Sequence, residues 1–192
     1  MKAVVFVDVQ KDFVEGGKLA FGYPAEDNLQ KVVDFAKQCA DDADCKIYAT
    51  RDTHEATKWT EKDCAQVVVG YLASLEGQKL PVEHCVEGTD GWQIVDSLMD
   101  VLFGKATFVN KPTFGSYDLA EIIAEDFGKD GPEEIIICGY DLSICCLANA
   151  VLLRAKFPNV KITVKTDLCG DVDKAAFDAA VKVLQMQQID AV

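Results

Sequence analysis

The chain has 192 residues, 49% of them hydrophobic, and a formal net charge of -13. That is the length of one domain and enough apolar material for a core without staples. The excess negative charge repels phosphate backbones and anionic headgroups, which excludes nucleic acid and membrane surfaces as expected partners.

Ala3 to Asp8 reads as a buried strand, an apolar run that ends on an acid. The run is too short for a secretory h-region. No apolar stretch reaches the roughly 18 residues that span a bilayer. The longest, Leu142 to Leu153, is interrupted by Ser143 and Asn149. Asp27 to Cys39 is predicted helical, with apolar residues at Leu29, Val32, Val33, Phe35 and Ala36 on one 3.6-period stripe. Lys46 to Thr50 is the next strand. Residues 52 to 90 lack clean periodicity and read as a long functional excursion, with short strands around Gln66 to Val69. A helix over Gly91–Val101, a strand over Thr107–Lys111 and a helix over Asp118–Phe127 come next. A strand over Glu134–Gly139, a helix over Leu142–Phe157, a strand over Val160–Thr166 and a helix over Asp171–Met186 complete the pattern. Asp118 and Asp171 are expected as N-caps or first-turn acids.

Continuous rather than alternating apolar strands, separated by helices, indicate α/β architecture with a mostly parallel central sheet in a three-layer α/β/α arrangement. The expectation is one domain over residues 1–192. The eight cysteines are scattered and form no C-x-x-C pair. They are expected as reduced thiols in a cytoplasmic protein rather than as a disulfide framework or a zinc ribbon.

Ligands of an open parallel sheet bind beyond the carboxyl ends of its strands. The residues just past each strand are therefore informative: Asp8, then Asp52-Thr53-His54, then Lys111, then the turn from Gly139 to Cys145. A thiol at a helix N-terminus meets the positive end of the macrodipole, which favours thiolate, and a nearby lysine adds to the effect. A buried carboxylate can take the thiol proton and later return it to a leaving amine. Cys138 and Cys146 read as core filler, and Trp92 as packing. Asp52 and His54, two apart in an extended segment, face the same way. With His84 and Glu76 they form a mixed oxygen–nitrogen set suited to zinc, manganese or iron.

These residues resemble the isochorismatase-like cysteine hydrolases, and within them the nicotinamidase branch, over nearly the whole chain. Asp8-Val9-Gln10-Lys11-Asp12-Phe13 is similar to the family's opening Asp-x-Gln-x-Asp-Phe, and Thr50-Arg51-Asp52-Thr53-His54 to the start of its metal loop. Leu80-Pro81 with His84-Cys85-Val86-Glu87-Gly88-Thr89 and Gly91, Lys111 to Ser116, and Gly139 to Cys146 resemble its later segments. The resemblance implies a Rossmann-like fold and a triad of Asp8, Lys111 and Cys145. It also implies one divalent metal on Asp52, His54 and His84, with Glu76 as the fourth ligand and zinc as the expected ion. It further implies an oxyanion hole from the backbone N–H groups of Asp141 and Cys145, shaped by a cis peptide between Tyr140 and Asp141. Phe13, Trp59, Tyr71 and Tyr140 are the expected substrate-pocket residues. Residues 55 to 75 and the Leu80-Pro81-Val82-Glu83 stretch depart from the family pattern. The implied activity is hydrolysis of nicotinamide to nicotinate and ammonia. A homo-oligomer is implied by the resemblance alone, since relatives often associate. Three alternatives stay open: a carbamoyl or ureido amidohydrolase, a vinyl-ether hydrolase, and a non-catalytic binding protein on the same fold.

Overall fold

The computed structural model of the protein describes residues 1–24, 28–62 and 64–192. Its strands are β1 (Lys2–Val7), β2 (Cys45–Asp52), β3 (Lys58–Lys62), β4 (Ala65–Val69), β5 (Ala106–Lys111), β6 (Glu134–Gly139), β7 (Lys161–Cys169) and β8 (Asp190–Ala191). Its α-helices are α1 (Leu29–Asp41), α2 (Leu75–Lys79), α3 (Asp96–Leu102), α4 (Tyr117–Phe127), α5 (Leu147–Lys156) and α6 (Lys174–Met186). The expected start of the first helix at Asp27 lies outside the described residues.

Six strands form one sheet in the order β5-β2-β1-β6-β7-β8, and every pair in it is parallel. β1 lies inside the sheet, and Ala3, Val4, Val5, Phe6 and Val7 are all fully buried. A strand covered on both faces needs apolar residues at every position, which is why its sequence is continuous rather than alternating. Helices flank this sheet: α1 packs on α3, α4 on α5, and α5 also meets α6. Among the described residues, no helix is long and apolar enough to cross a membrane.

Three boundaries differ from expectation, each because backbone or side-chain groups find other partners. The helix expected from Gly91 starts only at Asp96. Residues 91 to 94 instead pair with the segment after β1, through Asp12 N–H to Gly91 O (3.0 Å) and Lys11 N–H to Gln93 O (3.0 Å). Gly91 is required there, because a Cβ would sit 2.3 Å from the Asp12 carboxyl group. The helix expected from Leu142 opens with a π turn over Leu142–Cys146 before α5 begins. Asp171 caps nothing on α6, whose N-cap is Asp173, accepting from Ala176 N–H. Asp171 faces instead the turn after β6.

The excursion over 52–90 carries the antiparallel ribbon β3–β4, which stands apart from the main sheet, and the short α2. Two-stranded ribbons are marginal alone. This one is joined to the body through Gly70, where a Cβ would meet Ala56 O at 2.2 Å.

Gly139 closes β6 at φ 124, and a Cβ there would lie 2.1 Å from Val7 O. Neither the angle nor the space accepts a side chain. Gly139→Ala is expected to lower stability by about 2–4 kcal/mol, read as a lower urea midpoint; an unchanged midpoint would contradict this packing.

Candidate active site

Strand register decides which side chains meet. Val7 lies beside Gly139 in the β1–β6 pair, and Asp52 beside Lys111 in the β2–β5 pair. The carboxyl ends of four strands are thus level. Asp8, Asp52, Lys111 and the turn after Gly139 share one edge of the sheet.

Lys111 is fully buried. Its Nζ lies 2.7 Å from Asp8 Oδ2 and 3.7 Å from Asp52 Oδ1. It also donates to Thr113 O (3.1 Å) and reaches Cys145 Sγ at 3.6 Å. Burial pulls the ammonium down, but Asp8, Cys145 and Asp52 outweigh it and hold Lys111 above its usual range. It therefore stays charged. Asp8 is equally buried, in the left-handed region at φ 49. Its Oδ1 accepts from Thr50 Oγ1 at 2.7 Å. Burial raises Asp8 above the carboxylate range and Lys111 opposes that rise. Burial likewise pushes the Cys145 thiol well up, against the pull of Lys111. The resting thiol is thus protonated, beside a fixed cation and a carboxyl group able to exchange a proton.

Cys145 sits in the π turn that leads into α5, with Asp141 as its N-cap. Asp141 Oδ1 accepts from Ile144 N–H at 2.7 Å and, loosely, from Cys145 N–H at 3.4 Å. Among the described residues no hydrogen bond runs from Asp141 N–H. The Tyr140–Asp141 peptide is cis. Asn149 fixes the turn to the lysine loop: its Nδ2 donates to Cys145 O (2.8 Å) and Phe114 O (3.1 Å), and its Oδ1 accepts from Ser116 N–H (3.0 Å).

Beside this group, ligand atoms of Asp52, His54, Glu76 and His84 lie within 4.8 Å of one another. His54 Nε2 is 2.9 Å from Asp52 Oδ2 and 3.5 Å from Glu76 Oε1. His84 Nε2 is 3.3 Å and 3.5 Å from the same atoms. A tetrahedral ion with ligands at about 2.0–2.2 Å separates its donors by roughly 3.3–3.6 Å, close to these spacings. Asp52 Oδ1, 3.7 Å from Lys111 Nζ, is buried with no hydrogen-bond partner among the described residues. His84 Nδ1 lies 2.8 Å from Val82 O, a contact that orients the ring and leaves Nε2 as the ligand atom. Burial pulls His84 down, but Asp52, Glu76 and Val82 O outweigh it and raise the ring to about 9. The residues present fit a divalent cation.

A cleft of about 250 Å³ joins the two groups, with Asp52, Glu76, His84, Asp141 and Cys145 in its wall. Phe13 and Phe21 stack at 5.3 Å, and Phe13 leans on the His84 ring at 5.6 Å. Of the expected pocket residues, Phe13 alone lines this cleft. Trp59 does not. It lies on β3, whose residues are all exposed, and is itself 67% exposed on a ribbon separate from the main sheet. Tyr71 does not line it either, because its ring is committed edge-on to both His54 (4.9 Å) and His84 (5.2 Å). Its hydroxyl donates to Leu80 O at 2.7 Å, so it buttresses the candidate ligands from behind. Tyr140 stands one ring back, stacked on Phe21 at 5.9 Å, with its hydroxyl on Asn28 Oδ1.

Several supporting residues escaped sequence reasoning. Gln10 clasps the Asp52 backbone, accepting from its N–H and donating to its C=O at 2.8 Å each. Asp12 Oδ2 accepts from Cys85 N–H at 2.8 Å and so fixes the residue after His84. Thr50 and Asn149 had a legible signal, a polar residue directly after the apolar runs Ile47–Ala49 and Leu147–Ala148. Phe21 and Asp171 had none.

The Isochorismatase domain family model matches residues 2–191. Among curated proteins, no match is found. The structure is similar to that of nicotinamidase/pyrazinamidase from Bacillus subtilis, with TM-score 0.79 and 18% identity over 100% of this chain and 98% of that one. It is similar to pyrazinamidase of Pyrococcus horikoshii in complex with zinc, with TM-score 0.76 and 21% identity over 100% and 98%. It is also similar to yeast nicotinamidase bound to the inhibitor nicotinaldehyde, with TM-score 0.73 and 20% identity over 100% and 99%. At such identities the likeness is one of fold.

Removing a donor from the four-residue cluster should weaken zinc binding. His84→Ala is expected to lose at least the ~10–100-fold that removing a hydrogen-bond partner of a ligand costs, measured by competition with a chromophoric chelator. Unaltered affinity would show that the ion, if bound, sits elsewhere.

Proposed function

The chain belongs to the isochorismatase family, a family of hydrolases, and from that premise we propose that it is a metal-containing cysteine amidohydrolase whose substrate is nicotinamide. The carrying observation is Lys111 Nζ, in contact with both Asp8 Oδ2 (2.7 Å) and Cys145 Sγ (3.6 Å), with Cys145 in the wall of a small cleft. An acid and a thiol held beside one fixed cation are what acyl transfer through a thioester needs. The aromatic wall of Phe13 and Phe21 favours a flat ring over a carbamoyl or ureido chain. The names of the structural neighbours point to the same pyridine and pyrazine amides.

In this reading Asp8 takes the thiol proton as Cys145 Sγ bonds to the amide carbon. Lys111 remains protonated and offsets the charge that passes between carboxylate and sulfur. The carbonyl oxygen becomes an oxyanion held by the N–H groups of Asp141 and Cys145, a contribution typically of about 3–4 kcal/mol per donor. Asp8 then gives its proton to the amine as the C–N bond breaks and ammonia leaves. Water attacks the thioester, its proton passes to Asp8, the acid departs, and the proton returns to sulfur. When bound at Asp52, His54, Glu76 and His84, a divalent ion, zinc by analogy with the zinc complex of the similar pyrazinamidase, would supply a Lewis-acidic anchor for a heteroaromatic nitrogen. Eight unbridged thiols suit work in the reducing cytoplasm.

Cys145→Ala is expected to abolish ammonia release from nicotinamide, and Asp8→Asn to lower kcat by about 10²–10⁴-fold. Ammonia release by Cys145→Ala near the unaltered protein's rate would overturn the mechanism. A panel that also holds pyrazinamide and ureido compounds tests the substrate.

A further inference from the structure

The turn that carries Cys145 is held by two buried carboxyl groups rather than one. Asp171 Oδ2 accepts from Ser143 N–H at 2.9 Å, and its Oδ1 accepts from Ser143 Oγ (2.8 Å) and Val172 N–H (2.7 Å). Asp141 Oδ1 takes the next two N–H groups, Ile144 at 2.7 Å and Cys145 at 3.4 Å. The two acids differ in what is left over. Both oxygens of Asp171 are engaged. Asp141, only 3% exposed, lines the cleft with Cys145, and its Oδ2 accepts no hydrogen bond among the described residues.

This arrangement conflicts with the mechanism if Asp141 is ionised. The Cys145 N–H that should receive the oxyanion already points at Asp141 Oδ1, and a carboxylate there would set a second negative charge beside the developing one. At a few ångströms in a low-dielectric site, that repulsion cancels much of what the two N–H groups contribute. A neutral carboxyl group reverses the sign: it releases the N–H more readily and offers an O–H of its own.

We propose that Asp141 serves the amidase reaction as a neutral carboxylic acid, with its Oδ2–H directed into the cleft as a third hydrogen-bond donor to the oxyanion. The proposal rests on the amidohydrolase reading given above. The proton stays on Oδ2 through both half-reactions, so the atom balance of the mechanism is unchanged. Of the two neighbouring acids, Asp141 is the one to hold a proton, because Asp171 has three donors to stabilise its charge and Asp141 has one short and one long. The charged and titratable groups facing Asp141 are Asp171 from the segment after β7, Asp8 from the end of β1, and the thiols of Cys145 and Cys146 on its own turn. Lys111 lies beyond Asp8 and Cys145. Burial, with Asp171 next, raises Asp141 to about 7, so the neutral form is present below neutral pH and is lost as pH rises through that value.

The test compares metal-loaded Asp141→Asn, Asp141→Ser and Asp141→Ala with the unaltered enzyme. Asparagine and serine cap a helix as well as aspartate does, so a capping role alone predicts near-normal activity for both. As an oxyanion donor, asparagine can still offer N–H, whereas the shorter serine and the alanine cannot reach. Expected results are a kcat for Asp141→Asn within about threefold of the unaltered enzyme, and losses of about 10²–10³-fold in Asp141→Ser and Asp141→Ala with KM little changed. The unaltered enzyme should lose kcat/KM about tenfold per pH unit above neutrality, and Asp141→Asn should lack that limb. Full activity in Asp141→Ser, or a basic limb that persists in Asp141→Asn, overturns the proposal. A second readout needs no turnover: infrared difference spectra between about pH 6 and about pH 9 should show a protonated-carboxyl C=O band that Asp141→Asn lacks. Absence of that band overturns the proposal even if amides are hydrolysed. Its presence in a protein that hydrolyses no amide removes the amidase reading while leaving the neutral acid standing.

Discussion

Everything at this sheet edge depends on one buried ammonium. Lys111 has no exposure to solvent, and a charge taken out of water is tolerated only when it is paired and hydrogen-bonded. Asp8 supplies the ion pair, Thr113 O a further acceptor, and Asp52 and Cys145 stand within 4 Å. Removing one partner of such a pair typically costs about 3–5 kcal/mol. The same balance keeps the lysine a cation, while burial makes its neighbours Asp8 and Cys145 reluctant to ionise.

Asp52 links this centre to the candidate cation site. One of its oxygens faces Lys111 and the other faces both imidazoles. Hydrogen bonds to both histidines, and then Lys111, overcome burial and hold Asp52 below the ordinary carboxylate range. Gln10 fixes the residue through its backbone. The Asp52 side chain thus touches both the candidate cation ligands and the buried lysine.

Much of the edge was legible in the sequence, because parallel strands deliver their C-terminal neighbours to the same side. Asp8, Asp52, Lys111 and Cys145 each lie at or just past the end of an apolar run, and the register of β1, β2, β5 and β6 levels those ends. His84 and Glu76 came from ligand chemistry. The aromatic assignments were less legible, since no periodicity constrains the excursion. Trp59 reads as a ring that could close on a ligand, yet among the described residues β3 pairs with β4 alone and leaves it exposed. Phe21 lies between glycine-containing turns and touches the cleft through tertiary packing alone. Asp171 has the local pattern of a cap, and only the return of β7 to lie beside β6 brings it to Ser143.

Acylation of Cys145, served by Asp8 and Lys111, is the step on which the proposed chemistry stands. Rapid mixing with nicotinamide, acid quench and peptide mass spectrometry test it directly. A transient nicotinoyl thioester is expected on the peptide's Cys145, formed and lost at rates that match ammonia release. Turnover with no adduct on any cysteine, or an adduct confined to Cys146, would contradict it.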